Sequence, residues 1–291
     1  MKISIVTACY NAADTIERTI QSIREQGYND LQYIVIDGDS TDGTQEVIQR
    51  HLDFIDVYIS EPDKGVCEAL NKGFKYADGE IFAYLNADDC LMPGALNFIA
   101  EAFEASPEID VITGGCRRIF ADGSEYTTQV PDRYLRAMAW RNDIEQPSTF
   151  WRAKVHHLAG DFDENLKLAF DWEYWNRLAK SGAAFKAVPE VLSIYYFSDT
   201  NLTSRGGISV IREMRDITAR YHGKGLAFAY MVIFHLVDMR GLLDGRNLNW
   251  FARAWSKSVF TVLGFLFGRE AIHHYNWNWA SKQVRGLVWY K

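Results

Sequence analysis

Residues 81–94 read Ile-Phe-Ala-Tyr-Leu-Asn-Ala-Asp-Asp-Cys-Leu-Met-Pro-Gly. The apolar run Ile81 to Leu85 stops on Asn86-Ala87-Asp88-Asp89, the pattern of a buried strand that delivers paired carboxylates to its C-terminal end. Adjacent acids repel each other and gain nothing from packing, so such a pair is stable where a cation or a set of donors neutralises it. A purely local role is the alternative: Asp88 or Asp89 caps a helix that begins near Pro93.

The segments on either side decide between the two. Ile3 to Ala8 is a β-branched run followed by Asp14 to Gln26, where Ile16, Ile20 and Ile23 recur at helical spacing before Gly27. Leu31 to Ile36 is a second buried strand, followed by a helix over Gln45 to Leu52. Val57 to Ser60, the helix Gly65 to Tyr76, the strand Glu80 to Leu85, the helix Gly94 to Ala105 and the strand Asp110 to Thr113 continue the alternation. Alternating strands and helices predict an α/β fold with a mostly parallel sheet flanked by helices. In such sheets ligands sit beyond the carboxyl ends of the strands. Four polar clusters fall there: Thr7 to Asn11, Asp37 to Asp42, Glu61 to Gly65, and Asn86 to Asp89. No G-x-G-x-x-G and no G-x-x-x-x-G-K-[ST] follows a strand, so phosphates are not held by a glycine-rich loop. Acids bind a diphosphate through a divalent cation, and oxygen ligands suit Mg²⁺ or Mn²⁺.

The 291 residues, 48% hydrophobic and 24% charged, are enough for one or two soluble domains. Charge is unevenly spread. Residues 1–199 hold 18 Lys and Arg against 33 Asp and Glu, a net −15, whereas 200–291 hold 13 against 5, a net +8. The acidic part argues against nucleic acid, and the basic part suits an acidic surface such as a phospholipid leaflet. Cys9, Cys67, Cys90 and Cys116 lack C-x-x-C spacing, which predicts reduced thiols in a cytoplasmic setting rather than a disulfide frame or zinc site. The first residues show no secretory pattern, and no apolar stretch reaches the roughly 18–20 residues that span a bilayer.

Taken in order, V-x-x-Y-N after the first strand, I-D-G-D-S-T-D-G-T after the second, S-E-P-D-K-G with N-K-G, and L-N-A-D-D resemble the inverting glycosyltransferases of family 2, which have the GT-A fold. The resemblance covers about residues 1–200, implying a GT-A nucleotide-sugar-binding and catalytic domain over 1–205 and a helical, basic and aromatic region over 206–291. It implies that Thr7, Tyr10 and Asn11 border the base and ribose, that Asp37 meets the nucleobase edge, and that Asp63 contacts the nucleoside. Lys64 is either a further contact or a solvated turn residue. Where the commoner pattern pairs two acids, Gly38 takes the second place and an acid returns as Asp39, with uracil the first expectation for the base. Ser40 to Asp42 also read as a helix-start turn. The L-N-A-D-D segment opens with Asn86 where the family usually has Asp. Asp88 is assigned to ribose or metal and Asp89 to metal, with Mn²⁺ or Mg²⁺ as cofactor.

Past Gly115, shorter strands over Arg117 to Ala121 and Glu125 to Val130 suit antiparallel additions that shape an acceptor cleft. Gln146 to Arg152 resembles the family's H-Q-[AS]-T-F-x-R segment, with Glu145 in the place of His. Gln146 is then either near the reacting sugar or an ordinary residue ahead of Pro147. Asp171, at the start of a helix over Trp172 to Lys180, matches the acidic motif that supplies the catalytic base, and it also reads as that helix's N-cap. Glu173 reads as a support, with Arg177 one turn on. The expected activity is transfer of a sugar from a nucleotide sugar to a hydroxyl of a glycan or lipid-linked saccharide in surface polysaccharide synthesis. Transfer to a polyprenyl phosphate and non-catalytic nucleotide-sugar binding are the alternatives. Helices are predicted over Ile208 to Tyr221, Gly225 to Val237, Asn249 to Leu266 and Ala271 to Gly286. Five of the nine Trp, at 250, 255, 277, 279 and 289, fall in this tail. They suit a peripheral contact with the inner membrane's cytoplasmic face, a helical subdomain or a dimer surface.

Overall fold

The computed structural model describes residues 1–131, 135, 138–139, 142–197, 207–229, 231 and 262. Two compact units divide the chain, Met1–Tyr134 with Asp143–Asp199 and Leu135–Asn142 with Thr200–Lys291. In the first, β1 (Ile3–Cys9), α1 (Ile16–Arg24), β2 (Leu31–Asp37), α2 (Thr44–Gln49), β3 (Val57–Ser60), α3 (Val66–Phe74) and β4 (Ile81–Tyr84) alternate as the hydrophobic pattern requires. Then come β5 (Cys90–Leu91), α4 (Ala95–Glu104), β6 (Val111–Phe120) and β7 (Glu125–Thr128). A 3₁₀ turn over Gln146–Ser148 leads into β8 (Thr149–Arg152), α5 (Ala153–Ala159), α6 (Phe170–Lys180) and β9 (Phe185–Phe197).

The strands form one sheet in the order β3-β2-β1-β4-β8-β6-β9-β5, with β7 paired to β6. β3, β2, β1 and β4 are parallel, and β8 runs antiparallel to both β4 and β6. Ile3, Ile5, Tyr33, Val35 and Ile81 are sealed in the core beside Ile16, Ile20 and Ile23 of α1. Fully burying a side chain of this size contributes about 1.5–3 kcal/mol. Gly73 of α3 lies against Val6 and Ile36, where a β-carbon would collide, so this helix presses directly on β1 and β2.

Two expectations change in the second half. The strands predicted over Asp110 to Thr113 and Arg117 to Ala121 are one strand, β6, whose register against β9 shifts on either side of Gly115. A β-carbon on Gly114 would lie 2.7 Å from the Glu190 carbonyl, and one on Gly115 would lie 2.6 Å from that of Thr128. The glycine pair admits neighbouring backbones and does not mark a turn. The helix expected to cap on Asp88 or Asp89 starts at Ala95 behind Gly94, so neither acid caps it.

In the second unit, α7 (Gly207–His222) matches the first helix predicted for the tail. Thr218 Oγ1 there donates to the carbonyls of Met214 (2.9 Å) and Ala139 (3.4 Å). Of the helices predicted farther on, Gly225 to Val237 is helical at the described residues 225–229 and 231, whereas Asn249 to Leu266, 262 excepted, and Ala271 to Gly286 lie outside the described residues, as do all five tail tryptophans. No helix among the described residues is long and apolar enough to cross a membrane.

Candidate active site

β1, β2, β3 and β4 end side by side, and the segments that follow the first three are tied to one another. Asn11, in the left-handed region at φ 50°, accepts from the Thr41 amide through Oδ1 (3.0 Å), and its own amide donates to Ser40 Oγ (2.8 Å). Asp42 accepts from the Thr44 amide (3.1 Å) at the start of α2, as expected of a helix-start turn. Asp37 is sealed from solvent, and its carboxylate accepts from the Ser40 hydroxyl and amide and from Ser60 Oγ (2.6 Å). Thr7 is equally buried, its Oγ1 accepting from the Tyr33 hydroxyl at 3.1 Å. Both side chains are thus spent on holding the strand ends together, and other side chains form the outer rim. Tyr10 is 65% exposed, Asp39 stands exposed at φ 63°, and Asp63 is half-buried. Asp63 Oδ1 accepts from the Gly65 amide (2.8 Å), while Oδ2 occupies the space that a β-carbon on Gly38 would need. Burial raises the Asp63 carboxyl above the ordinary carboxylate range. Lys64 is solvated, with Glu68 4.0 Å away.

At the end of β4, Asn86 Nδ2 donates to Asp89 Oδ2 (3.2 Å) and to Gln146 Oε1 (3.1 Å), and Gln146 Nε2 donates to the Tyr84 carbonyl (2.7 Å). A carbonyl only accepts, so the Gln146 amide has one workable orientation, and the group facing its Oε1 must be a donor. Asn serves there and a carboxylate does not, which accounts for the residue that opens L-N-A-D-D. Asp89 is fully buried and Asp88 partly so. Burial pushes both carboxyls up, Asp89 well above the ordinary range with the Asp88 charge adding to the effect.

These residues suit a divalent cation on two counts. Among the described residues Asp89 Oδ1 is buried without a hydrogen-bond donor, and two crowded carboxylates lose their mutual repulsion when a cation joins them. No group of three His, Cys, Asp or Glu gathers among the described residues. Mg²⁺ is commonly held by one or two carboxylates together with substrate phosphates, and a pair such as Asp88 and Asp89 has the chemistry for that share.

α1 supplies contacts that the sequence pattern had not assigned. Arg18 Nη2 donates to the Asp88 carbonyl (3.1 Å) and Thr19 Oγ1 to the Asp89 carbonyl (2.8 Å), and just past the helix Gln26 Nε2 donates to the Met92 carbonyl (3.0 Å). Ser22 Oγ accepts from the Leu91 amide at 3.1 Å. The available signal was a polar stripe at helical spacing beside the isoleucine stripe. The N-K-G tripeptide is similarly explained. Asn71 Nδ2 donates to the Phe162 carbonyl (3.0 Å) while its Oδ1 accepts from the Phe162 amide (2.8 Å), fixing the segment that leads to α6. Lys72 pairs with Glu61 (3.0 Å) and Glu68 (3.4 Å) beside the Asp63 turn.

Asp171 occupies the first turn of α6, where the N-cap is Ala169, and its Oδ1 accepts from the Trp172 amide at 2.7 Å. Its charge reaches Tyr84 of β4, and Phe170 lies 6.1 Å from the Tyr84 ring. Glu173 is buried and accepts from Arg177 (3.0 Å), which also donates to the Ala159 carbonyl (2.7 Å). Arg177 is thus the bracket between α6 and α5, and Glu173 holds it in place.

Comparison with known proteins accords with this arrangement. Poly-beta-1,6-N-acetyl-D-glucosamine synthase of Staphylococcus epidermidis is 33% identical over 118 residues, 40% of this chain and 28% of that one. An uncharacterized glycosyltransferase of Nostoc sp. is 34% identical over 115 residues, 38% of this chain and 36% of its own. This chain thus spans well under two thirds of the length of either relative. An uncharacterized glycosyltransferase of Mycobacterium tuberculosis is 23% identical over 237 residues, 79% of this chain and 89% of that one. Among solved structures, residues 1–349 of S. aureus TarS in complex with UDP-GlcNAc match with a TM-score of 0.62 at 15% identity, over 98% of this chain and 89% of that one. The mannosyltransferase PcManGT of Pyrobaculum calidifontis, in complex with GDP-Man and Mn²⁺, gives 0.58 at 18% identity, over 99% and 85%. Those likenesses establish the GT-A fold. The profile described as Glycosyl transferase family 2 matches residues 4–171, more than half of the sequence, and to that family this chain belongs.

Proposed function

We propose that the chain is an inverting, metal-dependent glycosyltransferase that moves a sugar from a nucleotide sugar, UDP-linked by preference, to a hydroxyl of a glycan or lipid-linked saccharide in surface polysaccharide synthesis. The observation that carries this reading is the acidic corner at the end of β4, where Asn86 joins Asp89 to Gln146 and Phe170 of α6 lies 6.1 Å from the Tyr84 ring of the same strand. UDP-GlcNAc on the structural neighbour TarS and the polysaccharide product named for the staphylococcal relative support the donor and pathway class.

In this reading residues 1–205 carry the donor site and the chemistry, and 206–291 serve peripheral membrane contact. Tyr10 stacks on the base, and Asp63, carried over Gly38, accepts from its edge. Asp37 and Thr7 act from behind by fixing the strand ends, while Asn11 and Asp39 border the ribose. Asp88 and Asp89 would hold Mg²⁺ or Mn²⁺, which when bound offsets the charge of the leaving diphosphate. Asn86 and Gln146 keep that corner in register with β8. Asp171 takes the proton of the attacking hydroxyl on the face opposite the leaving group, which inversion requires. Its place in the first turn of α6 sets the carboxylate against the positive end of the helix.

Incubation with UDP- and GDP-sugars and Mn²⁺, with and without acceptors, tests the proposal. UDP release with inverted anomeric configuration in the product is expected. Binding of every donor without release of any nucleotide would reduce the chain to a nucleotide-sugar-binding protein.

A further inference from the structure

Beyond the donor corner, the strands whose sequence suits an acceptor cleft carry an aromatic patch, and no residue of it has a role in the reading above. In the registers of β6 with β7 and β9, Arg118 is level with Tyr126 and Tyr195, and Phe120 with Phe197. Phe120 stacks on Tyr126 with centroids 5.7 Å apart and planes at 25°, and it lies 5.2 Å from Phe197. Tyr126 is 47% exposed. At the inner end of the patch Arg118 donates to both oxygens of Glu145, at 3.0 and 2.9 Å, beneath the Tyr126 ring. Glu145 adjoins Gln146, whose amide meets Asn86 at the donor corner, so the patch is continuous with the site.

Its chemistry selects an occupant. Stacked rings offer flat apolar faces that match the C–H face of a pyranose. A salt-bridged guanidinium and carboxylate offer hydrogen bonds with little net charge, which suits hydroxyls better than phosphates. Arg117, the other basic residue of the strand, is likewise paired, with Glu125. A neutral saccharide therefore fits this patch, and an anionic lipid headgroup does not.

We propose that Phe120, Tyr126 and the Arg118–Glu145 pair form the acceptor subsite, and that the acceptor is a neutral oligosaccharide of at least two rings. This rests on the transferase reading, whose donor half is checked independently. The full chain, loaded with UDP and Mn²⁺, is applied to an array of neutral and acidic mono- and oligosaccharides, while UDP affinity is measured by calorimetry. Retention of a neutral oligosaccharide over its monosaccharide is expected. Tyr126→Ser should lower that retention about tenfold and Tyr126→Trp should preserve it, with UDP affinity changed less than about twofold in each. UDP binding with no oligosaccharide retained, or retention that Tyr126→Ser leaves untouched, would overturn the subsite. Absence of UDP binding would count against the donor reading, with the subsite still judged by the array.

Discussion

At position 38 a β-carbon would lie 2.7 Å from Oδ2 of Asp63 and 3.3 Å from Cδ2 of Tyr10. The obstacle is the end of a half-buried side chain, so the fold can yield where the site cannot. Gly38→Ala should leave the melting temperature almost unchanged and weaken UDP binding about tenfold, on the order of 1.4 kcal/mol, by calorimetry. Asn86 poses the opposite case. Asn86→Asp would set a carboxylate against Gln146 Oε1 and the already crowded Asp89, so a loss of about 1–3 kcal/mol is expected in urea melts. At this scale the sequence displayed both departures from the family pattern without their causes. Each cause is a partner distant in sequence: Asp63 lies over Gly38, and Gln146 faces Asn86.

Among the elements, α3 and α5 to α6 show how motifs away from the chemistry still govern it. Asn71 is 4% exposed and fastens the segment before α6 by hydrogen bonds to Phe162 and Glu164. Asn71→Ala should cost about 1–3 kcal/mol in stability and reduce transfer more than donor binding, which turnover and calorimetry together separate. Between α5 and α6, His156 Nδ1 meets the Tyr174 hydroxyl at 2.6 Å, and burial lowers the imidazole to about 4. The folded state keeps this ring neutral while the unfolded chain protonates it near the usual 6.5. Its contribution to stability is therefore present above pH 6.5 and lost as pH falls toward 4. His156→Gln should remove roughly 2–3 kcal/mol of that pH dependence, read as the difference between two melting-versus-pH curves. The parallel strands and their helices were legible because apolar runs and helical periodicity agree with the fold. β5, α5 and the unity of β6 were not. β5 is two residues long, α5 is a single short helix, and Gly114–Gly115 carries a break signal where backbones approach.

Over the whole first unit, the order β3-β2-β1-β4-β8-β6-β9-β5 sets a parallel half carrying the polar loops at the strand ends beside a mixed half reached from β4 through β8. Asp171 enters from the mixed half, while Asp63 and Asp88 belong to the parallel half. Asp171→Asn should then retain UDP binding within about twofold and lower transfer by at least about 10²-fold, a split that binding and single-turnover assays check directly. Convergence at the strand ends was legible from the alternation alone. The division of labour was not, because burial of Asp37 and Thr7 and exposure of Tyr10 depend on how strand ends pack. The hold of α1 on the acidic corner has a bearing on synthesis. Arg18, Thr19 and Ser22 leave the ribosome about seventy residues before Asp88, Asp89 and Leu91, the backbone they bind. Until then the helix carries polar groups without their native partners, so the first β–α units stay provisional. The acidic corner is thus what completes β–α units made well before it.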